Sequence, residues 1–322
     1  MKAIVYRDYG SPDVLRCEDV EKPAPADDEV LIRVRAAAAN PMDYHFMSGA
    51  YLMRLATGVR RPKPTRPGVD VAGDVEAVGK NITRFQPGDS VFGVARGTFA
   101  EYVCGSQDRL ALKPANLTFE QAAAIPVAGA TALQGLRDKG RLQSGQKVLI
   151  NGASGGVGTF AVQIGRALGA EVTGVCSTKN VDLVRSIGAD HVVDYTVDDF
   201  TRGAERYDLI LDCIGNRSLS AYRRIMTDSA TFLPIGAKVS GRWVGPLPQL
   251  LKLLVSSWFV SQRVLFFVAR VNTDELIALK DLIEANKVTP VIDRRYTLSE
   301  VPEAIGYLKA GHARGKVVIA ME

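Results

Sequence analysis

The sequence predicts a two-part α/β protein, a small β-rich, barrel-like part followed by a doubly wound parallel sheet. Three observations predict it. Short strand-like runs separated by Gly, Pro, Asp and Asn continue to about Asn116. From Gln146 apolar strands alternate with helices, the pattern of a parallel sheet covered on both faces. Where the first of those strands meets the first of those helices lies a glycine cluster, "NGASGGVG" (Asn151–Gly158).

Each element has its own signal. In the first part "KAIVYR", "EVLIRVRAAAAN", "DVAGDVEAVG", "DSVFGV" and "FAEYVCG" read as strands. "TFEQAAAIPVAGATALQGLRDKG" (Thr118–Gly140) changes the period to helical, and Thr118 with Gln121 is a capping-box signature at its start. "KVLIN" is then a strand, and "GTFAVQIGRALG" an amphipathic helix ending on Gly169. "EVTGVC", "HVVDY", "YDLILDCIG" and "ATFLPIG" follow as strands, with "NVDLVRSIG" and "LSAYRRIM" as helices. After Val271 come the helix "TDELIALKDLIEANK", the strand "VIDRRYTL", the helix "SEVPEAIGYLKAG" and the strand "GKVVIAM".

Composition excludes several classes. The chain has 322 residues, 47 % hydrophobic and 23 % charged, as in an ordinary water-soluble globular protein. That length suggests about two domains. A net charge of +5, from 40 basic and 35 acidic residues, suits an anionic ligand and does not argue for nucleic acid. Cys17, Cys104, Cys176 and Cys213 form no close pair, so they read as reduced thiols of a cytoplasmic protein. The start, "MKAIVYRDYG", has no apolar signal core. The most apolar window, Leu247–Val271, is interrupted by Lys252, Gln262 and Arg263, so no uncharged run reaches the ~20 residues of a spanning helix. Read as a helix, it is apolar nearly all round, with Trp258, Phe259, Phe266 and Phe267. It is either buried in the fold or a dimer interface, or a lid that admits lipophilic molecules or touches a membrane surface. Arg60, Arg61, Lys63 and Arg66, among prolines, read as a solvated basic loop.

Gly152, Gly155 and Gly158 give the spacing GxxGxxG between strand and helix. Glycine there lets the backbone turn sharply and approach a pyrophosphate, and the helix N-terminus favours its charge. Ser154 adds a hydroxyl. A site for NAD usually has an acid at the end of the second strand to hold the ribose 2′-OH. Glu171 stands at the wrong end of "EVTGVC", and the correct end carries Cys176, Ser177, Thr178 and Lys179. Two hydroxyls and an ammonium attract a 2′-phosphate that a carboxylate would repel, so NADPH is expected over NADH. The chain has three histidines, His45, His191 and His312, and only His45 falls in the first part, with no Cys at ligand spacing. A catalytic zinc site is therefore not expected.

These features resemble the medium-chain dehydrogenase/reductase superfamily, in its zinc-free quinone oxidoreductase (zeta-crystallin-like) branch. The resemblance is carried by "AAANPMDYHFMSGAY" (Ala37–Tyr51), "PGVDVAGDVEAVG" (Pro67–Gly79), "FQPGDSVFG" (Phe85–Gly93), "AAAIPVAGATALQGL" (Ala122–Leu136), "NGASGGVG" and "GHARGKVVI" (Gly311–Ile319). It implies a GroES-like catalytic domain (residues 1–120), a Rossmann cofactor domain (121–270) and a C-terminal segment (271–322) rejoining the first. Where zinc members carry a metal-binding Cys this chain has "NPMDY", and where they carry "GHE" it has Gly68-Val69-Asp70. The resemblance places Thr131, Ser154, Gly155, Gly156 and Val157 on the cofactor. Ser177, Lys179 and Tyr195 surround its adenosine phosphate, and Ile214, Gly215, Ile235 and Gly236 lie along its bridge and nicotinamide. His312, Arg314 and Lys316 return to it. Asn40 and Tyr44 are placed in the substrate cleft, where an amide N–H or a phenol O–H can bond a carbonyl oxygen as charge builds on it.

The implied chemistry is hydride delivery from NADPH to a lipophilic quinone or α,β-unsaturated carbonyl. Conjugation stabilises the resulting anion, so a hydrogen bond suffices where a simple ketone wants a Lewis acid. No strong general acid is evident, and solvent supplies the proton. The alternatives are an NADPH-binding protein with a non-catalytic role at nucleic acid or a membrane surface, and an alcohol dehydrogenase. The resemblance also implies a homodimer.

Overall fold

The computed structural model describes residues 1–49, 54, 58–63, 65–236 and 262–321. The chain divides into two units, one of Met1–Ala130, Arg270–Ala285 and Pro290–Glu322, the other of Thr131–Ala269 and Asn286–Thr289.

In the first unit β1 (Lys2–Val5) pairs antiparallel with β2 (Arg16–Asp19). A larger sheet is built around β3 (Glu29–Ala39), with β4 (Asp70–Val78), β5 (Ser90–Val94), β6 (Tyr102–Ser106) and β7 (Leu110–Leu112). β3 pairs with β4 from Val30↔Val78 to Ala38↔Asp70, and its first residues also pair with β6. Two register shifts on the β3–β4 ladder bend the sheet, as bulges do. Asn40 leaves β3 and starts α1 (Pro41–Ser48), a helix that its period did not announce. Its capping box joins Asn40 and Asp43, and Pro41 sits in the first turn, where its missing N–H costs nothing.

The helix expected over Thr118–Gly140 is three pieces: α2 (Phe119–Ala123), α3 (Pro126–Leu133) and a π-helical stretch, Gln134–Lys139. The expected capping box is present, with the Gln121 N–H on Thr118 Oγ1 at 3.2 Å and the Thr118 N–H on Gln121 Oε1 at 3.0 Å. Pro126 lacks an N–H and crowds the preceding turn, so α2 and α3 cannot be continuous.

The second unit contains β8 (Lys147–Asn151), α4 (Gly156–Ala167), β9 (Glu171–Cys176), α5 (Val181–Ser186), β10 (His191–Asp194), β11 (Tyr207–Asp212), α6 (Leu219–Arg223), β12 (Met226–Pro234) and β13 (Arg263–Val264). The sheet is parallel, in the order β10-β9-β8-β11-β12-β13. Strand order therefore reverses between β8 and β11, and ligands of such sheets bind outside the carboxyl ends of the strands at that reversal. Leu149, Val175, Ile210 and Phe232 from four strands pack with Tyr222 of α6 in its core. β13 corrects the helical reading of the apolar window at its end. Arg263 and Val264 are extended beside Thr231 and Phe232, where they satisfy the open edge of β12. Lys252, Trp258 and Phe259 lie outside the described residues.

The chain returns to the first unit with α7 (Thr273–Glu284), β14 (Ile292–Thr297), α8 (Val301–Lys309) and β15 (Lys316–Ala320). β15 runs antiparallel to the alanine end of β3, Val317 opposite Ala39, and parallel to β14. Ile32, Val34, Met47, Val71, Phe99, Val301, Ile305 and Val317 share the core of this unit. Among the described residues no helix is long and apolar enough to cross a membrane.

Candidate functional site

The glycine turn follows β8 at the strand-order reversal. Gly152 has φ +85°, a conformation that side chains resist, and at Gly158 an added Cβ would overlap the Gly152 carbonyl oxygen. The second constraint lets α4 start directly against the end of β8. The N-cap of α4 is Gly155, with no side-chain oxygen on the first turn among the described residues. A twelve-residue helix whose opening N–H groups lack a side-chain acceptor presents donors and a positive dipole end. Ser154 is buried just before it, and Gly156 and Val157 are its first two residues.

The end of β9 lies beside this turn. The Asn180 side-chain amide donates to Ser154 Oγ at 3.0 Å and to Ser177 Oγ at 3.2 Å. Thr178 and Lys179 are exposed, and Tyr195 is 48 % exposed, its N–H on the Cys176 carbonyl. Glu171, at the other end of β9, instead faces Lys147 and His191. β10 brings an acid to the same strand end. Asp194 pairs in register with Cys176, and hydrogen bonds from the hydroxyls of Thr178 and Thr196 hold its carboxyl below the usual range.

A second polar group closes the reversal. Asn151 ends β8 and Asp212 ends β11, in register with each other. The Asn151 amide lies 2.8 Å from Asp212 Oδ1, 2.9 Å from the Tyr222 hydroxyl and 3.0 Å from Asn216 Oδ1. Burial, with the Asp212 charge beside it, pushes the Tyr222 phenol well up, so it stays a neutral donor. Asp212 Oδ1 also accepts from the N–H groups of Ile214 and Gly215, and its carbonyl accepts from Ile235 and Gly236. The four positions expected along the cofactor bridge are thus anchored on one residue. Asn151, Asp212 and Asn180 join the site only through the fold. The available signal was a polar residue ending an apolar strand in both "KVLIN" and "LILD".

In the first unit, Asn40 and Lys316, expected at substrate and cofactor, are bonded to each other. Lys316 Nζ is 2.7 Å from Asn40 Oδ1, 3.0 Å from Asp70 Oδ2 and 3.4 Å from the Ala39 carbonyl. Asn40 Nδ2 donates to the same Asp70 oxygen at 3.0 Å, and the Val127 N–H donates to the other at 3.0 Å. Asn40 is 5 % exposed, Lys316 3 % and Asp70 0 %. Asp43 accepts from the N–H groups of Asn40 and Gly68 at 2.8 and 3.2 Å. Burial raises its carboxyl to about 7, with the Asp70 charge adding to the effect and the Asn40 N–H opposing it.

Tyr44, on α1, is half-buried, its ring 5.6 Å from that of His45 and 5.2 Å from Lys309 Nζ. Its hydroxyl makes no hydrogen bond among the described residues. Burial lowers the His45 imidazole. His312 is exposed in the turn after α8, and the Arg314 N–H donates to Asp293 at 2.9 Å. Thr131 is half-buried on α3. Among the described residues no three His, Cys, Asp or Glu side chains are grouped to hold a metal ion.

Residues 26–115 match the alcohol dehydrogenase GroES-like domain, and residues 187–319 match a zinc-binding dehydrogenase domain. The chain is 35 % identical to the chloroplastic NADPH-dependent alkenal/one oxidoreductase of Arabidopsis thaliana, over 99 % of this chain and 79 % of that one. It is also 35 % identical to a mitochondrial NAD(P)H oxidoreductase of Mus musculus, over 99 % and 89 %. The quinone oxidoreductase from Coxiella burnetii superposes with a TM-score of 0.88 at 28 % identity, over 100 % of this chain and 99 % of that one.

Proposed function

Because the chain belongs to the quinone and alkenal oxidoreductases of the medium-chain dehydrogenase/reductase superfamily, we propose that it reduces a quinone or an α,β-unsaturated carbonyl with NADPH and without a metal ion. The observation that carries this reading is the Asn40–Asp70–Lys316 cluster. The segments that hold metal ligands in zinc members, here Asn40–Tyr44 and Gly68–Asp70, are tied to one another and to a buried ammonium. Lys316 has no lone pair to offer a metal, and it engages the Asn40 and Asp70 oxygens that could otherwise act as ligands. The domain matched by residues 187–319 carries a zinc-binding name, and the metal-free reading rests instead on the donor set of Asn40, Asp70 and Lys316. Quinones and enones spread the developing negative charge by conjugation, which suits reduction with a hydrogen bond in place of a Lewis acid.

The residues around the glycine turn fit a phosphorylated dinucleotide. The open start of α4 suits the pyrophosphate, and Ser177 and Lys179, with the Asp194 charge engaged by two threonines, suit a 2′-phosphate. When bound, that cofactor supplies the hydride. The chain's own contribution is orientation and a hydrogen bond. Tyr44 donates its phenol hydrogen to the acceptor oxygen as charge develops there, and solvent delivers the proton to carbon or oxygen afterwards. Asn40 and Lys316, engaged internally, hold α1 and hence Tyr44 in place. The four cysteines are free thiols, which suits a reducing compartment such as the cytoplasm. β13, one of the two sheet edges among the described residues, is where a second copy would pair to make a dimer.

The test is a screen of nicotinamide oxidation on chelator-treated protein, offering a benzoquinone, a 2-alkenal, a cyclic enone and a saturated ketone, each with NADPH and NADH. Turnover confined to conjugated acceptors, retained after chelation and faster with NADPH, supports the reading. Equal use of the saturated ketone, activity restored only by zinc, or equal use of NADH overturns it.

A further inference from the structure

Asn180 precedes α5 at its N-cap position, yet its side chain does not cap the helix. It is only 6 % exposed, and burying an amide without full partnering is costly. Both of its contacts run to serine oxygens, Ser154 on the glycine turn and Ser177 at the end of β9, while Oδ1 has no hydrogen-bond partner among the described residues. A hydroxyl has one hydrogen and two lone pairs. Each serine oxygen that accepts from Asn180 keeps its hydrogen, and neither hydrogen goes to another protein acceptor among the described residues. With the amide turned round, its oxygen would take both hydroxyl hydrogens and strand the Nδ2 group.

We infer that Asn180 is a positioning residue for phosphate recognition: it ties the turn to β9, commits the Ser154 and Ser177 hydroxyls as donors to anionic oxygens, and offers Oδ1 to a ribose hydroxyl. The inference rests on the NADPH reading and deepens it. Ionised phosphates accept hydrogen bonds and have no hydrogen to give, so two committed donors match them. Oδ1 needs a donor, and within the adenosine half the sugar hydroxyl is the group that carries one beside a phosphate.

Calorimetric binding of adenosine 2′,5′-bisphosphate and adenosine 5′-phosphate separates the two claims without turnover. Wild-type protein should prefer the bisphosphate; if it does not, the NADPH reading fails. Given that preference, Asn180→Ala should weaken bisphosphate binding about 10- to 100-fold, the worth of the Ser177 hydrogen bond to a charged group once that hydroxyl is no longer held, and weaken the monophosphate less. In a Ser177→Ala background the same substitution should change the ratio of the two affinities little further, because it acts through that hydroxyl. Thermal melting checks folding. If Asn180→Ala does not fold, isosteric Asn180→Asp, an acceptor toward both serines, carries the test and should remove the preference. A ratio equal to wild type in either folded variant, or a full additional loss in the Ser177→Ala background, overturns the inference.

Discussion

Lys316→Met removes the ammonium from the Asn40–Asp70–Lys316 cluster while nearly keeping the length of the side chain. Lys316 and Asp70 are 3 % and 0 % exposed, so water does not replace the lost partner. Asp70 would keep only its bonds from Asn40 Nδ2 and the Val127 N–H, and Asn40 Oδ1 would lose its donor. Breaking a buried ion pair by removing one partner costs about 3–5 kcal/mol, most of it the penalty of the charge left behind. That origin gives a sharper expectation than the number. Lys316→Met with Asp70→Asn removes both charges and should be more stable than Lys316→Met alone. Urea unfolding followed by circular dichroism measures both variants, with the exposed pair Lys2–Asp19 as a control whose loss should leave the midpoint nearly unchanged. A Lys316→Met cost below about 1 kcal/mol, or a double variant no more stable than the single, would show that the buried charge of Asp70 does not depend on Lys316.

The turn, the buried acid and the acceptor contact each give a further expectation. Gly158→Ala drives a Cβ into the Gly152 carbonyl and should lower stability by roughly 2 kcal/mol or more and weaken adenosine bisphosphate binding, both readable by thermal shift and calorimetry. Asp43 is raised to about 7, so the folded state holds its proton more tightly than the unfolded chain does. Its contribution to stability is then complete below about pH 4 and lost as the pH climbs through about 7, and Asp43→Asn should flatten that slope in urea midpoints taken across the range. Tyr44→Phe should lower kcat/KM for a benzoquinone roughly 10²-fold while leaving the NADPH Kd unchanged; an unaltered kcat/KM would remove Tyr44 from the reaction.

Much of this molecule is legible along the chain. The period of apolar residues marks most strands and the principal helices, because a half-buried strand and an amphipathic helix each need neighbours in sequence to share a face. The glycine turn is legible for a similar reason. Its conformation at Gly152 and its packing at Gly158 are constraints on single residues within one local element. The missing acid after "EVTGVC" is equally local. Where sequence reading stopped, a distant partner decided the outcome. β13 is extended because β12 offers it an edge; the break at Pro126 is by contrast local, hidden only by the apolar period that runs across it. Asp194 reaches the end of β9 only because β10 pairs beside it.

Local pattern along the chain is enough to set the two kinds of sheet, the glycine turn after β8 and the small set of polar side chains near it. Tertiary structure decided which of those side chains face inward. Asn40, Asp70 and Lys316 stand 30 and 246 residues apart along the chain, and β3, β4 and β15 bring them within hydrogen-bonding distance. No local pattern encodes that meeting, because burial and pairing of a charge depend on what other strands carry to the same point. The same holds for Asn180, which heads the predicted helix "NVDLVRSIG" and in the fold bridges two serines on neighbouring strand ends.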